Sequence, residues 1–368
     1  MNRRATFGVI GAYGATGRAV VTELLRATQD NILLGGRDSD KLKACAAEFG
    51  SRVSPLGVDV QTPQSLDEFC RECSVVVNCG GPVTVLQDRV AQAALRRRCH
   101  YVDPAGIPFV RERLLPHQEE IARHELSFVV SAGWQPGITE LLPIHAHSRA
   151  SAQMDSVHAV ETYFSDSGEW SDSALRDGVA YLRSLGMPKA GYFRKGEWVA
   201  ASTSEASLKV DVGSPIGLRR FSLFYIPESR EVGRRFTRCD FRGYSYLAGF
   251  RNAFDALMIA LVPISEEAAV RRLRNIFRRN KTDVGGFMIV RVKGRTQERD
   301  TVFRSCVTFD AGRDYWMNAA ALATVARLIA RGEGVRTGVH FLCEAVEPEV
   351  MISEMRKAGV LHTESNEP

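Results

Sequence analysis

Short apolar runs alternate with amphipathic helical stretches over the first 150 residues of the chain. Strands are predicted in the segments 5–10, 31–37, 52–60, 74–82, 100–103 and 126–133. Helices are predicted from Ala15 onward and in the segments 39–49, 63–72, 84–98 and 110–124. Strands that alternate with helices of about ten to fifteen residues imply right-handed crossovers and a parallel sheet. Ligands of such sheets bind outside the carboxyl ends of the strands.

The pattern changes near residue 150, where longer strands with alternating polar and apolar positions begin. These strands are predicted in the segments 155–163, 219–225, 286–294 and 301–309. Residues 295–300 join the last two, which predicts an antiparallel hairpin. A helix rich in small residues is predicted at 316–330, and the polar tail 362–368 is expected to fray.

These elements predict an α/β protein with more than one domain. Residues 1–150 are expected to form a Rossmann domain, built on a doubly wound parallel sheet. Residues 151–310 are expected to form a second α+β domain on a mostly antiparallel sheet, for substrate binding or dimerisation. Residues 311–368 are expected to return as helices that pack on the Rossmann domain.

The composition is that of an ordinary globular protein, because 45% of the 368 residues are hydrophobic and 25% are charged. No run of about 18 apolar residues predicts a membrane span. The N-terminal segment also lacks the apolar region of a signal peptide. We therefore expect a cytoplasmic protein without membrane association, in which the eight cysteines are free thiols.

No motif with the spacing of metal ligands is present in the sequence. Cys70 and Cys73 form a lone Cys-x-x-Cys without a second pair. His145 and His147 lie two positions apart and would face different sides of a helix. We therefore predict that the protein has no metal site.

The formal net charge is +5, and one basic helix contributes strongly to it. This helix is predicted at 271–281 and carries Arg271, Arg272, Arg274, Arg278, Arg279 and Lys281. Two interpretations stay open, a solvated helix face or a docking surface for an acyl- or peptidyl-carrier domain. Nucleic acid is not expected as a partner, because Phe277 is the only aromatic residue among these charges.

The turn after the first strand carries glycines at positions 11, 14 and 17. This spacing allows a tight turn, close approach of the backbone to a pyrophosphate, and close packing of helix on strand. The N–H groups at the start of the helix then bind phosphate oxygens. The second strand ends in Gly36 and Arg37, with Lys41 one turn later, where NAD sites carry an acid. A guanidinium at this position favours the 2′-phosphate of NADP(H).

Four segments resemble the saccharopine dehydrogenase-like reductases. They are Gly-Ala-Tyr-Gly-Ala-Thr-Gly at 11–17, Gly-Gly-Arg at 35–37, Val-Val-Asn-Cys-Gly-Gly-Pro at 76–82 and Cys-His-Tyr-Val-Asp at 99–103. The C-terminal segment that begins at Gly338 is also similar to that family. The resemblance implies an NADP(H)-dependent oxidoreductase that acts on a carbon–nitrogen bond, as in saccharopine formation. In size and layout the chain is similar to thiazolinyl imine reductases of the enantio-pyochelin type, which reduce a thiazoline ring during siderophore biosynthesis.

The resemblance also implies which residues bind the cofactor. The pyrophosphate is expected to bind at Gly11, Tyr13, Gly14, Ala15, Thr16 and Gly17. The 2′-phosphate is expected to bind at Arg37, Ser39 and Lys41. The adenine amino group is expected to bind Asp59. The nicotinamide half is expected to lie against Asn78, Cys79, Gly80 and Gly81.

Reduction of a C=N bond requires a proton for the nitrogen unless the substrate is already an iminium ion. The candidate catalytic residues lie at or near strand ends, and they are His100, Tyr101, Asp103 and Tyr163. Tyr101 and Asp103 share one face of their strand, whereas His100 takes the other. Asp103 is predicted either to donate the proton or to orient substrate or cofactor. For His100, an ordinary structural histidine is the alternative.

Substrate contacts are predicted in two loops. Trp134 and Gln135 follow the strand 126–133, where an aromatic ring suits either a flat heteroaromatic substrate or interdomain packing. A polar loop after a second-domain strand is predicted to close over the cofactor, and it contains Tyr163, Ser165, Asp166, Glu169 and Trp170.

Three functions stay open at this point. The first is an NADPH-dependent imine reductase, in its specific form a thiazolinyl imine reductase. The second is a saccharopine- or opine-type amino-acid dehydrogenase that forms a secondary amine from a keto acid and an amine. The third is an NADPH-binding regulatory protein without turnover. A hydrolase is not expected, because no Gly-x-Ser-x-Gly motif is present. The protein is expected to form a homodimer through an exposed sheet of the second domain.

Overall fold

A computed structural model describes residues 5–104, 107–166, 168, 170–185, 190–280, 282 and 284–367. For residues 107–109, 184–185 and 250 it describes the backbone alone. The chain divides into two compact units. The first unit contains the residues up to Ile138 together with Tyr315–Ala358. The second unit contains Thr139–Asp314 and the residues from Gly359 onward.

Strands and helices alternate along most of the described chain. In chain order the strands are β1 Thr6–Ile10, β2 Asn31–Gly36, β3 Val53–Gly57, β4 Val75–Asn78, β5 His100–Val102, β6 Ser127–Val130, β7 Ser156–Asp166, β8 Gly191–Arg194, β9 Glu197–Ala200, β10 Ser207–Asp211, β11 Leu218–Leu223, β12 Asp240–Tyr246, β13 Gly286–Thr296, β14 Arg299–Phe309, β15 Gly338–Phe341 and β16 Leu361–Glu367.

The helices follow the same order. They are α1 Ala15–Ala27, α2 Ser39–Phe49, α3 Pro63–Arg71, α4 Val83–Leu86, α5 Arg89–Arg97, α6 Ile107–Leu114, α7 Gln118–Arg123, α8 Ile138–Ser151, α9 Asp172–Leu185, α10 Thr203–Ala206, α11 Pro227–Arg235, α12 Gly249–Leu261, α13 Glu266–Arg279, α14 Asp314–Arg331, α15 Leu342–Ala345 and α16 Pro348–Lys357. A short 3₁₀ helix at Leu115–His117 joins α6 to α7.

The described strands of the first unit form one parallel sheet. Its order is β3-β2-β1-β4-β5-β6-β15, and every neighbouring pair is parallel. Val75, Val76 and Val77 of β4 are fully buried, as expected for strands that helices cover on both faces. The strand order reverses between β1 and β4, which is where doubly wound sheets bind ligands. The predicted Rossmann fold is confirmed.

The second unit is built on a mixed sheet of nine described strands. Its main order is β10-β11-β12-β7-β13-β14-β16, with β8 beside β12 and β9 beside β8. β7 pairs parallel with β12 and antiparallel with β13. The other described pairs are antiparallel. The predicted α+β domain on a mostly antiparallel sheet is confirmed, and so is the hairpin of β13 and β14.

Three local predictions need correction. The helix predicted at 84–98 is interrupted at Gln87, whose φ of 53° lies outside the helical region. The helix predicted at 110–124 is divided by the 3₁₀ turn at Leu115–His117. The tail 362–368 does not fray in its described part, because β16 pairs antiparallel with β14 from Thr308 to Val302. This pairing satisfies N–H and C=O groups that β14 would otherwise expose at the sheet edge.

The compact units also divide the chain at positions different from the predicted domain boundaries. The first unit ends at Ile138, whereas the predicted boundary at residue 150 lies inside α8. Residues 315–358 belong to the first unit, but the chain from Gly359 onward belongs to the second. Among the described residues, no helix is both long enough and apolar enough to cross a membrane.

Candidate functional site

The glycine-rich turn after β1 leaves no room for side chains at two of its positions. Gly11 has a φ of 76°, and a Cβ there would lie 2.8 Å from the backbone of Cys79. A Cβ at Gly17 would lie 2.3 Å from the carbonyl oxygen of Gly11. The Gly11 N–H donates to the carbonyl oxygen of Gly35, at 2.9 Å. The turn is therefore held against the ends of β2 and β4, as a dinucleotide site requires.

The start of α1 is open to a negatively charged ligand. Gly14 is the N-cap of the helix, and it provides no side-chain cap. Gly14 and Ala15 are exposed, and Thr16 is half-buried. Uncapped N–H groups at a helix start carry a partial positive charge that favours phosphate. The structure thus brings together the residues predicted to bind the pyrophosphate.

A cationic, aromatic corner follows the end of β2. Gly36 is covered by the ring of Tyr13, because a Cβ at Gly36 would lie 2.6 Å from that ring. The Lys41 ammonium lies 6.0 Å from the centre of the same ring. Arg37 is exposed, and within the described chain its guanidinium makes no hydrogen bond or ion pair. These three side chains provide two cations and an aromatic face for a phosphorylated ribose.

Asp38 stands next to Arg37, but its carboxylate is committed to capping α2. Its Oδ1 accepts the backbone N–H of Lys41 at 3.0 Å, and its Oδ2 lies 3.3 Å from the Lys41 Nζ. The backbone hydrogen bond from Lys41 lowers the pKa of Asp38 from its usual value. Ser39, in the first turn of α2, is exposed. The carboxylate of Asp38 is therefore occupied within its own helix, and the contact of Arg37 to the ribose phosphate stays a prediction.

Asp59, predicted to bind adenine, lies in an exposed turn after β3. Its Oδ1 accepts the N–H of Gln61 at 3.0 Å, and its Oδ2 accepts the hydroxyl of Thr62 at 3.4 Å. The carboxylate therefore holds its own turn together. Contact with adenine stays a prediction.

Asn78, at the end of β4, organises the segment predicted to line the nicotinamide half. Its Oδ1 accepts the N–H of Gly80 at 3.1 Å, and its Nδ2 donates to the hydroxyl of Tyr101 at 3.2 Å. The Cys79 N–H donates to the carbonyl oxygen of Ile10 at 2.9 Å. Residues 78–80 are therefore tied to both neighbouring strands, β1 and β5. Gly81 follows this fixed segment and is exposed.

Tyr101 and Asp103 form a buried polar pair with Asn78. Tyr101 is 1% exposed and Asp103 is 3% exposed. The hydroxyl of Tyr101 accepts the amide of Asn78 at 3.2 Å, and Oδ1 of Asp103 accepts the N–H of Ser131 at 3.0 Å. Burial, with the added effect of the Asp103 charge, raises the pKa of Tyr101 well above its usual value. The hydroxyl therefore stays protonated. The polar chain Asn78–Tyr101–Asp103 lies at the ends of β4 and β5, and the hydrogen bond from Ser131 to Asp103 ties it to the end of β6.

The Cys79 thiol lies close to this polar pair. Burial, and next the negative charge of Asp103, raise the pKa of Cys79. A thiol held neutral in this way is a poor nucleophile. Cys79 therefore serves as part of the wall rather than as a reactive group.

His100 is not brought together with Tyr101 and Asp103. It is the first residue of β5, and its Nδ1 accepts the backbone N–H of Ser127 at 3.0 Å. Burial lowers the pKa of His100 below its usual value. The neutral ring joins β5 to β6 near the amino ends of these strands. A catalytic role for His100 stays a prediction without a structural contact in its support.

Trp134 and Gln135 lie in the loop between β6 and α8. The Trp134 side chain is 1% exposed, and its backbone N–H donates to Oδ1 of Asn318 at 2.8 Å. Gln135 is half-buried. Asn318, on α14, was not identified from the sequence, because its contact to this loop depends on the return of the chain to the first unit.

The loop predicted around Tyr163 is instead part of a strand, so this prediction needs correction. β7 continues to Asp166, because its last residues pair with β13 on one side and β12 on the other. The Tyr163 hydroxyl donates to Oε2 of Glu161 at 2.8 Å. Its ring stacks on Tyr244 with centroids 5.4 Å apart. Tyr163 thus lies in the aromatic core of the second unit, and its catalytic role stays a prediction.

Ser165 and Asp166 belong to a buried polar cluster of the second unit, whereas Glu169 lies outside the described residues. Nδ2 of Asn280 lies 3.1 Å from the Ser165 hydroxyl and 3.2 Å from the backbone oxygen of Asp166. Asp166 also hydrogen-bonds Asp314, and burial with the charge of Asp314 raises the pKa of Asp166 well above its usual value. Two adjoining buried carboxyl groups favour a shared proton.

Trp170 packs in the helical part of the second unit. Its ring stacks on Phe277 of α13, with centroids 4.3 Å apart. A Cβ at Gly178 of α9 would lie 3.3 Å from it. The sequence did not identify Asn280 and Asp314, which share this region, because each is a single polar residue at a helix end.

Three of the five described arginines in the basic helix pair with acids of their own unit. Arg272 and Arg279 both pair with Asp255, and Arg274 pairs with Asp172. Arg271 and Arg278 are exposed and make no ion pair within the described residues. Lys281 lies outside the described residues. Docking of a carrier domain at 271–281 stays a prediction.

The first unit matches a known family model. Residues 7–129 match the model described as the saccharopine dehydrogenase NADP binding domain. This segment contains the glycine-rich turn, Arg37 and the chain Asn78–Tyr101–Asp103. The segment is therefore similar to the NADP-binding domain of saccharopine dehydrogenase, and the predicted cofactor, NADP(H), is confirmed.

Three relatives are similar over part of their length. A probable mitochondrial saccharopine dehydrogenase-like oxidoreductase of Arabidopsis thaliana is 28% identical over 171 residues, 43% of this chain and 37% of that one. The saccharopine dehydrogenase-like oxidoreductase of Homo sapiens is 26% identical over 174 residues, 43% of this chain and 41% of that one. The lipid droplet localized protein of Caenorhabditis elegans is 32% identical over 137 residues, 34% of this chain and 32% of that one. Each match thus spans less than half of the relative.

A solved structure shares the fold over nearly the whole chain. Apo saccharopine dehydrogenase (L-Glu forming) from Saccharomyces cerevisiae has a TM-score of 0.69. The alignment covers 99% of this chain and 100% of that one at 14% sequence identity. At this identity the match establishes the fold of both parts, and not the substrate.

Proposed function

We propose that this protein is an NADPH-dependent oxidoreductase that makes or breaks a carbon–nitrogen single bond in an amino-acid-type substrate. The observation that carries the proposal is the family match of residues 7–129 together with the two-part fold of a saccharopine dehydrogenase. A saccharopine- or opine-type reaction, in which a keto acid and an amine give a secondary amine, agrees best with these similarities. Two of the three relatives reported above, those of Arabidopsis thaliana and Homo sapiens, carry the same family name.

The described residues fit NADP(H). Gly11 and Gly17 lie too close to neighbouring backbone to tolerate a side chain, which leaves the turn accessible to a pyrophosphate. The uncapped start of α1 supplies N–H donors. Arg37 would bind the 2′-phosphate, with Lys41 beside it and the Tyr13 ring below. When bound, NADPH supplies a hydride from its nicotinamide ring.

The chain's own polar residues at the strand ends act by positioning. Asp103, which follows β5, accepts the N–H of Ser131, which follows β6, so it fixes the ends of these two strands relative to each other. Asn78 then holds Gly80 in place through its other amide atom. Tyr101 stays protonated and nearly excluded from solvent. We therefore assign the chain Asn78–Tyr101–Asp103 the task of keeping the wall at Cys79–Gly81 rigid.

Reduction of a thiazolinyl imine is the second candidate substrate reaction. It requires the same cofactor and the same proton delivery to nitrogen, and the similarity in size and layout noted from the sequence supports it. Two of the three relatives and the solved structure reported above are named for saccharopine dehydrogenase. We therefore rank the amino-acid reaction first and include thiazolines as a separate arm of the test.

The test uses purified protein with NADPH and three substrate panels. The panels are keto acids with amino acids, preformed cyclic iminium ions, and thiazolines. We expect consumption of NADPH, measured by its absorbance, with the keto acid and amine panel. If NADPH is consumed with thiazolines alone, the amino-acid reaction is refuted and the protein is a thiazolinyl imine reductase. No consumption with any panel, although NADPH binds, would refute catalysis and favour the regulatory protein.

Location and assembly are further proposals. We propose a homodimer in the cytoplasm, as expected from the sequence. The names of the relatives include a mitochondrial protein and a lipid droplet protein, so localisation of a tagged full-length protein is the measurement that decides. Size-exclusion chromatography with light scattering tests the dimer.

A further inference from the structure

Two histidines and a glutamate that are distant in the sequence meet inside the second unit. His145 lies on α8, and His362 and Glu364 lie on β16. One candidate ligand atom from each residue lies within 4.8 Å of the other two. The side chain of His145 is 2% exposed, that of His362 is 1% exposed and that of Glu364 is 17% exposed. We propose that these three residues form a binding site for a divalent transition metal ion, with zinc as the ion to test.

The distances suit a tetrahedral ion after small side-chain movements. Nδ1 of His145 lies 3.6 Å from Oε1 of Glu364, and Nε2 of His362 lies 3.9 Å from the same oxygen. Ligands about 2.0–2.1 Å from zinc lie about 3.3 Å apart in a tetrahedron. The two imidazole nitrogens therefore need to move about 0.3–0.6 Å closer to the Glu364 oxygen to reach this separation. Two imidazoles and a carboxylate are a ligand set that zinc uses, with the fourth position left to water.

The ion must compete with two neighbouring groups. The hydroxyl of Ser305 lies 2.7 Å from Nε2 of His362, and this contact is lost if that nitrogen binds the metal. The guanidinium of Arg149 lies 3.6 Å from Oε2 of Glu364. Arg149 is 48% exposed, so it can turn to solvent when a cation replaces it. A divalent ion bound here would take over from Arg149 in balancing the negative charge of Glu364.

The site would connect two elements that the chain brings together late. α8 opens the second unit, and β16 is its last strand. A metal ligated from both would fix β16 against the helix as well as against β14. Metal binding to the folded state alone then stabilises the second unit by mass action.

The experiment compares zinc binding by matched variants of the full chain. The protein is treated with a chelator, and zinc is titrated in competition with a chromophoric chelator. We expect one tight zinc ion per chain, a loss of affinity of about tenfold or more in His145→Ala and in His362→Ala, and no loss in His147→Ala. His147 is the control because it lies on the same helix but contacts the ring of Phe236 instead.

Two further readouts separate the metal site from a merely structural cluster. Zinc should raise the melting temperature of the wild type and of His147→Ala, but not of His145→Ala. Substituted cobalt should show the visible bands of a tetrahedral nitrogen and oxygen site, and these bands should vanish in His145→Ala. Equal zinc affinity in the His145 and His147 variants would overturn the proposal. Cobalt bands of thiolate ligation would also overturn it, because they would place the ion on cysteines instead of these three residues. The absence of zinc binding would overturn it as well.

Discussion

We predict that Arg37 makes the protein prefer NADP(H) over NAD(H). It is exposed, and it makes no ion pair or hydrogen bond within the described residues. Its replacement therefore costs the folded protein little, and a change in cofactor affinity reports directly on the contact to the ligand. The 2′-phosphate carries close to two negative charges at neutral pH, so its contact to a guanidinium is charge-assisted.

The expected magnitude follows from the strength of such a contact. A hydrogen bond to a charged group contributes about 1.5–3 kcal/mol, which corresponds to about a 10- to 150-fold change in affinity. Arg37→Ala should therefore weaken NADPH binding by about this factor and leave NADH binding unchanged. Lys41 stays beside the site, so some preference for NADPH should persist. Arg37→Asp should reverse the preference, because it places an acid next to the phosphate.

Calorimetric or fluorescence titration of both cofactors measures the effect. Lys43→Ala is the matched control, because Lys43 is another exposed cation on α2 but lies two positions beyond Lys41. High salt should reduce the difference between wild type and Arg37→Ala by screening the contact. An unchanged NADPH affinity in Arg37→Ala would refute the assignment of the 2′-phosphate to this corner.

Three further predictions concern the site and the second unit. Gly17→Ala places a Cβ 2.3 Å from a backbone oxygen, so it should lower the melting temperature and the NADPH affinity, and a wild-type affinity would contradict the packing argument. Asp103→Ala should lower kcat with NADPH still bound, and Asp103→Asn, which keeps one acceptor, should lose less; a wild-type kcat in both would remove Asp103 from the site. Because burial and Asp314 raise the pKa of Asp166, the folded chain keeps a proton that the unfolded chain releases above about pH 4. The free energy of unfolding from denaturant titration should therefore fall as the pH rises from about 5 to about 8, and Asp314→Asn should flatten this slope.

The first unit could be predicted from the sequence because its signals are local. The turn at 11–17 and the buried strands β1, β2 and β4 each show their pattern within a few residues. The carboxyl ends of parallel strands meet at one edge of the sheet, so Asn78 and Asp103 could be placed together before the structure was known. The hydrogen bond between Asn78 and Tyr101, which joins the ends of β4 and β5, became visible only in the structure.

The second unit was harder because non-local pairing determines its elements. β8, β9 and β10 are short, and their strand character comes from partners elsewhere in the sheet. β7 reaches Asp166 because strands flank it on both sides. His145 meets His362 only because β16 returns to the second unit. The pattern of polar and apolar residues within a short segment cannot indicate such contacts between distant parts of the chain.

The position of β16 at the end of the second unit has a consequence for folding during synthesis of the protein on the ribosome. Ribosomes extend the chain from its amino end, so the long segment of the second unit emerges while its final strand is still unmade. Until residues 361–367 appear, β14 presents an open ladder of amide and carbonyl groups along the nascent sheet. Such an edge recruits foreign strands. Truncation before Leu361 should therefore shift expression from folded product to inclusion bodies, even though the Rossmann part of the sequence is complete.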